Sequence, residues 1–172
     1  MNRSFRLFCG TLACLAISGC AFSAVKRPNP ALYSRTIKTT EPLEVSKAEA
    51  MDAARRALKL AGYEIQADDT QLGIIRTKSA QVPIPAICDC GTWNLDPVTG
   101  MADSYFEAVV EPVDASHSLL KLTFFCGATF TGHNLYGAVT RQETYQCASR
   151  GEAEKNLWQM IDRVLRSSEA KP

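Results

Sequence analysis

The sequence predicts an α+β fold, in which an antiparallel sheet of about five strands carries an N-terminal and a C-terminal helix on one face. Residues 47–61 and 153–165 have apolar side chains at helical spacing, and the segments between them alternate or cluster as strands do. A composition of 46% hydrophobic and 22% charged residues is typical of a globular domain. We therefore expect one helix–strands–helix domain over residues 46–168, followed by a frayed tail at 169–172.

The first helix has a signal at each end. Ser46 and Glu49 have the spacing of a capping box, in which each side chain hydrogen-bonds the other residue's backbone. Gly62 stands where a glycine commonly follows the last turn of a helix. The apolar stripe between these ends consists of Met51, Ala54, Leu58 and Ala61.

The sheet is predicted from five apolar or alternating segments. These are residues 63–67, 72–82, 105–112, 119–130 and 137–147, with a turn at 68–71. In the fourth segment the residues expected to face the core are Leu120, Leu122, Phe124 and Cys126, which alternate with Lys121, Thr123 and Phe125. Residues 83–103 join the second strand to the third and show no regular pattern.

A second capping box, Ser149 with Glu152, is predicted to begin the final helix. The apolar stripe of this helix consists of Ala153, Leu157, Met160, Ile161, Val164 and Leu165. Because each helix has a single apolar stripe, we expect both to pack on the same face of the sheet.

The N-terminal 20 residues have the order of features found in an export signal. Arg3 and Arg6 precede an apolar run over residues 7–17, which is too short to cross roughly 30 Å of hydrocarbon. Residues 15–20, Leu-Ala-Ile-Ser-Gly-Cys, resemble the lipobox of bacterial lipoproteins. That resemblance implies that residues 1–19 are a signal peptide and that the Cys20 thiol receives a diacylglycerol. It also implies that the amine of Cys20, exposed by cleavage, is acylated. Ala21, where an aspartate would retain the protein in the inner membrane, points to the outer membrane.

Residues 20–45 are predicted to be the lipidated cysteine and a flexible tether. The segment contains Pro28, Pro30 and Pro42 and has no sustained apolar period. As a flexible coil it would span about 25–30 Å and hold the domain clear of the lipid. The alternative is that residues 31–33 or 36–37 dock on the domain.

The cysteine count becomes even once the N-terminus is set aside. Cys9 and Cys14 would leave with the signal peptide and Cys20 would carry lipid, so four of the seven cysteines remain. An even number in an exported protein predicts two disulfides. The four are Cys88, Cys90, Cys126 and Cys147. A bond between Cys88 and Cys90 would close a very small ring, so each is expected to pair with one of the other two, in an order left open.

The candidate binding residues lie in two polar loops. They are Trp93 and Asn94 after the cysteine pair, and His133, Asn134 and Tyr136 before the last strand. If the disulfides join these loops, an aromatic and amide-bearing patch would form near one end of the sheet, a composition typical of recognition sites. Trp93 packed over the disulfides as a small satellite core is the alternative.

No pattern for an enzyme or a cofactor was found. The sequence has no phosphate-binding loop, nucleophile elbow or metal-binding helix, and the cysteine spacing is not that of a zinc ribbon or finger. Without residues 1–19 the chain has 17 basic and 18 acidic residues, a net charge of −1, so no nucleic-acid partner is expected. The one covalent group expected is the lipid on Cys20.

These observations favour a membrane-anchored, non-catalytic binding or assembly module of the cell envelope, with an envelope protein or a glycan as partner. The element order, and the step Ala61-Gly62-Tyr63-Glu64-Ile65 from helix to strand, resemble the helix-grip domains of the C-subunit lipoprotein of the outer-membrane β-barrel assembly machinery. One alternative is a lipid-anchored thiol or hydrolytic enzyme using Cys126 or Cys147 with His133. Another is a surface-exposed antigen or colonisation factor.

Overall fold

The predicted α+β class is confirmed by a computed structural model, which describes residues 25–27, 37–93, 96–133 and 139–169. The predicted signal peptide and Cys20 lie outside the described residues. The described elements are β1 (Val25–Lys26), β2 (Thr40–Leu43), α1 (Lys47–Leu60), β3 (Ile65–Asp69), β4 (Ile74–Thr77), β5 (Ala80–Pro83), α2 (Ile84–Ile87), β6 (Cys88–Asp89), β7 (Thr92–Trp93), β8 (Asp96–Pro97), β9 (Met101–Pro112), β10 (Ser118–His133), β11 (Val139–Gln146), β12 (Ala148–Ser149) and α3 (Glu152–Glu169).

The centre of the sheet is the long antiparallel hairpin of β9 and β10. The two strands pair without a break from Pro112 opposite Ser118 to Asp103 opposite Gly127. Alternate residues face opposite sides of the sheet, so one side of both strands is buried and the other is half-buried or exposed. The four residues predicted to face the core from β10 are all buried.

Within the described residues the main sheet has seven strands, where about five were predicted. The strand order is β11-β10-β9-β4-β3, with β2 also paired to β10 and β5 also paired to β9. The single strand predicted over 72–82 is two strands, because β4 pairs with residues 107–109 of β9 and β5 with residues 101–104. The seventh strand, β2, lies inside the predicted tether.

Both α1 and α3 pack on the buried side of the sheet, as predicted. They share one apolar cluster with the hairpin, which includes Met51, Leu58, Phe106, Leu122, Leu157 and Ile161. The capping box of α1 is present: the Ser46 hydroxyl accepts from the Glu49 amide, and the Glu49 carboxylate accepts from the Ser46 amide. Gly62 follows the helix with a φ of 85°, which a glycine adopts without steric cost.

The capping box predicted for the final helix is wrong in its details. The helix begins at Glu152, and the Gly151 carbonyl accepts its first bond, from Lys155. The Ser149 hydroxyl accepts from the Gly151 amide and donates to the Glu154 carboxylate at 2.7 Å. The buried carboxyl of Glu154, two residues further along the chain, therefore takes the place of the predicted Glu152 contact.

The connection over residues 83–103 is more ordered than the sequence pattern indicated. It contains one helical turn, α2, and the short strands β6, β7 and β8. Strand β6 pairs with β12, and the Arg150 amide donates to the Ile87 carbonyl. These backbone contacts hold the connection against the start of α3.

Two disulfides fasten the same connection to the sheet. Cys88 is bonded to Cys126 with Cα atoms 6.5 Å apart, and Cys90 is bonded to Cys147 with Cα atoms 4.3 Å apart. This is one of the two pairings that the cysteine spacing left open. All four residues are buried.

The boundary of the tether at residue 45 is wrong, because the sheet begins before it. Strand β2 pairs with residues 118–121 of β10, and the Leu122 amide donates to the Thr39 carbonyl. The Trp158 indole donates to the Lys38 carbonyl at 2.7 Å. The alternative of a docked segment therefore holds from residue 37 onwards, whereas residues 31–33 lie outside the described residues.

A second correction to the tether concerns its first part. Val25 and Lys26 form β1, which pairs antiparallel with Trp93 and Thr92 of β7. The Arg27 guanidinium lies 5.9 Å from the centre of the Tyr145 ring.

Among the described residues, no helix has the length and apolar character that a membrane span requires.

The disulfide pairing predicts a simple peptide map. Cleavage on the amino side of Asp89 separates Cys88 from Cys90, and tryptic cleavage after Arg141 separates Cys126 from Cys147. An unreduced double digest should therefore give one crosslinked pair containing Cys88 with Cys126 and another containing Cys90 with Cys147. No free thiol should be found in residues 37–169. Peptides joining Cys88 to Cys147 would contradict the structure.

Replacing Cys90 and Cys147 by alanine should lower the free energy of unfolding by about 2–4 kcal/mol, measured by urea denaturation.

The buried Glu154 predicts a pH dependence of stability. Burial raises the pKa of this carboxyl, and the hydrogen bond from Ser149 opposes that rise. The unfolded carboxyl ionises near its ordinary pKa of about 4.3 while the folded one keeps its proton to higher pH, so this group destabilises the fold as the pH rises above that value. Glu154→Gln should therefore gain stability relative to wild type between pH 4 and pH 8 in urea denaturation. The matched change Glu152→Gln, at an exposed carboxyl of the same turn, should follow wild type.

Candidate binding surface

The side of the sheet opposite the helices carries the candidate binding surface. Its central side chains come from alternate positions of β9 and β10 and are half-buried or exposed. They are Asp103, Tyr105, Glu107, Val109, Lys121, Thr123 and Phe125. We call this side the open face. It mixes aromatic, aliphatic and charged groups, whereas the opposite side of the same strands is buried and mostly apolar.

Three planar side chains form a row across the open face. The Tyr105 and Phe125 rings are directly opposite in the register and stack with centroids 4.6 Å apart and an interplanar angle of 14°. The Arg76 guanidinium lies 5.8 Å from the Tyr105 ring centre, which is cation–π distance. Arg76 also donates to the Glu107 carboxylate from Nε at 3.1 Å and from Nη2. Hydrogen bonding to Glu107 raises the pKa of Arg76, and the two groups form an ion pair at that end of the row.

A cleft of about 580 Å³ adjoins the aromatic end of this row. Its lining residues are Ser79, Asp103, Tyr105, Phe125, Cys126, Gly127, Thr144, Tyr145 and Gln146. Gly127 lies between Asp103 of β9 and Gln146 of β11 in the register, so the cleft is open where a side chain would otherwise stand. A Cβ at Gly127 would meet the Tyr145 carbonyl oxygen at 3.5 Å, an ordinary contact. The glycine is therefore not required by sterics there.

Asp103 gives this cleft its charge. It is the one charged residue among the described residues that line the cleft. The Gln81 side-chain amide of the neighbouring strand donates to Asp103 Oδ1, which orients the carboxylate. An aromatic wall beside an oriented carboxylate is suited to a cationic group with an apolar stem, such as the side chain of lysine or arginine.

The two predicted binding residues whose backbone is described, Trp93 and His133, are not part of the open face. Trp93 is in β7, opposite Val25 and Asp96, and His133 is the last residue of β10, opposite Val139. Asn94, Asn134 and Tyr136 lie outside the described residues, as do the side chains of Trp93 and His133. Seven residues of strand separate Cys126 from His133, which is about 23 Å. The described structure therefore does not place His133 beside the disulfides.

The residues of the open face were missed because their proximity depends on strand register. Phe125 was predicted to alternate away from the core, and a large aromatic at an outward position was the available signal. Its contact with Tyr105, twenty residues earlier, follows only from the pairing of β9 with β10.

The described residues contain no group of three or more histidine, cysteine, aspartate or glutamate side chains placed to hold a metal ion.

Comparison with known proteins adds no family to this description. No protein-family model matches the chain, and no curated protein matches it. The candidate surface is therefore defined by its geometry: an open sheet face, a row of stacked planar groups and a cleft with one carboxylate.

Proposed function

We propose that this protein is an exported, lipid-anchored and non-catalytic binding module of the cell envelope, which holds a basic side chain of a protein partner in the cleft beside Phe125. The observation that carries the proposal is the open face, where an oriented carboxylate and stacked aromatics adjoin a cleft. The partner is defined by its chemistry, a segment with an exposed lysine or arginine.

Export and lipid attachment are supported by two independent features. Residues 15–20 resemble a lipobox, and the domain contains two buried disulfides, which are typical of oxidising compartments outside the cytoplasm. Ala21 after the cysteine favours the outer membrane. Two or three acyl chains on Cys20 would make the attachment lasting, since each buried methylene adds about 0.8 kcal/mol of membrane affinity.

A protein partner is favoured over a glycan by the way the rings are arranged. A sugar that stacks on an aromatic residue needs a free ring face. One face of Tyr105 is covered by Phe125, and Arg76 lies at cation–π distance from the same ring. Tyr105 therefore offers no free ring face to a sugar, whereas the charged and hydroxyl groups of the row suit the side chains of an extended or helical protein segment.

A non-catalytic role is supported by the state of the cysteines. The alternative enzyme would use the thiolate of Cys126 or Cys147, and both sulfurs are in disulfides. The base in that alternative, His133, is about 23 Å along the strand from Cys126.

The lipid anchor is tested with Cys20→Ser. In cells that export the protein, the wild type should fractionate with the outer membrane, and its N-terminal peptide should carry the mass of a diacylglycerol. The variant should appear in the soluble fraction with both disulfides formed, because neither disulfide of the described residues includes Cys20. A variant that stays in the membrane would contradict the anchor.

The cleft is tested by photocrosslinking from Gln146, an exposed residue at its rim. A photoreactive residue at this position should give a discrete protein adduct in intact cells. Asp103→Lys should reduce that adduct at least tenfold, because it places a cation where the partner's cation binds. Glu111→Lys, an exposed acid on the same face of the same strand but outside the cleft, is the matched control and should leave the adduct unchanged.

Filling the cleft gives a second test that does not alter charge. Gly127→Val should abolish the same adduct by occupying the space beside Phe125. The thermal midpoint should be unchanged or slightly higher, because a valine suits a strand interior better than a glycine and the added Cβ meets no close contact. Equal adduct yield in wild type, Asp103→Lys and Gly127→Val would exclude the cleft as the contact site.

A further inference from the structure

Strand β1 joins the N-terminal segment to the domain only a few residues after Cys20. Strand β1 pairs with β7, and β7 pairs with β8, so the three form a small sheet separate from the main one. Val25, the first residue of β1, follows Cys20 by five residues. Five residues span at most about 18 Å when fully extended. A lipid on Cys20 would therefore keep this small sheet within that distance of the membrane.

Two chain segments beside the small sheet contain no charged residue. Residues 82–88 and 97–102 contain no aspartate, glutamate, lysine or arginine. The two segments adjoin, because Pro83 pairs with Met101 and the Ile84 amide donates to the Gly100 carbonyl. Their exposed residues, called here the uncharged patch, are Pro83, Pro85, Ala86, Pro97, Thr99, Gly100 and Met101.

The uncharged patch has properties that suit contact with lipid. Met101 is 54% exposed although it is a large apolar residue. Three of the seven residues are prolines, which have no backbone N–H to remove from water. Pro97 is in β8, opposite Thr92, and Thr92 is opposite Lys26, so the patch continues directly from the pairing that holds the anchor segment.

We infer that the uncharged patch rests on the lipid surface, held there by the pairing of Val25 and Lys26 with β7. This inference depends on the lipid anchor of the proposed function. It replaces a domain suspended on a tether of about 25 residues with a domain clamped to the membrane through the uncharged patch. The opposite end of the β9–β10 hairpin then points away from the lipid, about 40 Å along the strand from the patch.

The orientation is tested with tryptophan and brominated lipid. The full-length lipidated protein is reconstituted in phosphatidylethanolamine and phosphatidylglycerol vesicles with bromine, a tryptophan quencher, on their acyl chains. Met101→Trp places a probe in the uncharged patch, and Val113→Trp, at a position 65% exposed just beyond the other end of β9, is the matched control. The fluorescence that the introduced tryptophan adds to that of the wild type should be quenched at least threefold more at position 101 than at position 113. Equal quenching would overturn the inference.

The clamping role of β1 is tested by two insertions of the same fifteen-residue glycine–serine segment, which spans about 20 Å. One is placed between Ser23 and Ala24, on the lipid side of β1, and the other between Pro30 and Ala31, on the domain side. The first should reduce quenching at position 101 by at least half, and the second should leave it unchanged. An equal effect of both insertions would show an ordinary tether and overturn the inference.

The same samples separate this inference from the proposed function. If the wild type lacks the diacylglycerol mass and does not float with vesicles, the anchor fails and the inference falls with it. If the protein is lipidated and floats but shows no difference between positions 101 and 113, the anchor stands and the clamp alone is excluded.

Discussion

The pairing of β9 with β10 is the constraint on which the rest of the structure depends. Side chains on a strand alternate between two sides, so one register decides what every residue of the hairpin faces. The observed register sends Phe106 and Leu122 to the helices and stacks Tyr105 on Phe125 on the opposite side. A slip of one residue would bury the stacked pair and expose the core. The same register turns Cys126 to the side where Cys88 can reach it.

Much of the fold could be predicted because its signals are local. The capping box and the apolar stripe of α1 lie within fifteen residues, and the alternation along β10 is visible without knowledge of its partners. The extra strands could not be predicted in this way. Strand β2 contains Pro42 and has one buried residue, Leu43, so it is a strand mainly because β10 offers it a free edge. The predicted cap of α3 failed for a similar reason, since Ser149 bonds Glu154 only in the packed helix.

The candidate site could be predicted only in part, because its residues are brought together by tertiary contacts. Two disulfides could be expected from the sequence, because four cysteines remain once the predicted signal peptide and Cys20 are set aside. The predicted export also indicates an oxidising compartment. Choosing Cys126 as the partner of Cys88 required the path of the connection between β5 and β9. The cleft needs still more: Asp103 and Gly127 are twenty-four residues apart in sequence and meet at a single rung of the ladder. The polar loops that the sequence indicates as a binding site therefore do not point to the face of the sheet.

The disulfides also determine what becomes of the protein after proteolytic damage. The hairpin turn between β9 and β10 is exposed, with Val113 at 65%, and exposed turns are preferred sites of nicking. A cut there divides the chain into two halves, each of which carries one partner of both disulfides. The halves would stay covalently joined, the second held through Cys126 and Cys147 to the first. A nicked molecule would therefore migrate as one species until it is reduced, and it would not shed its C-terminal helix into the surroundings.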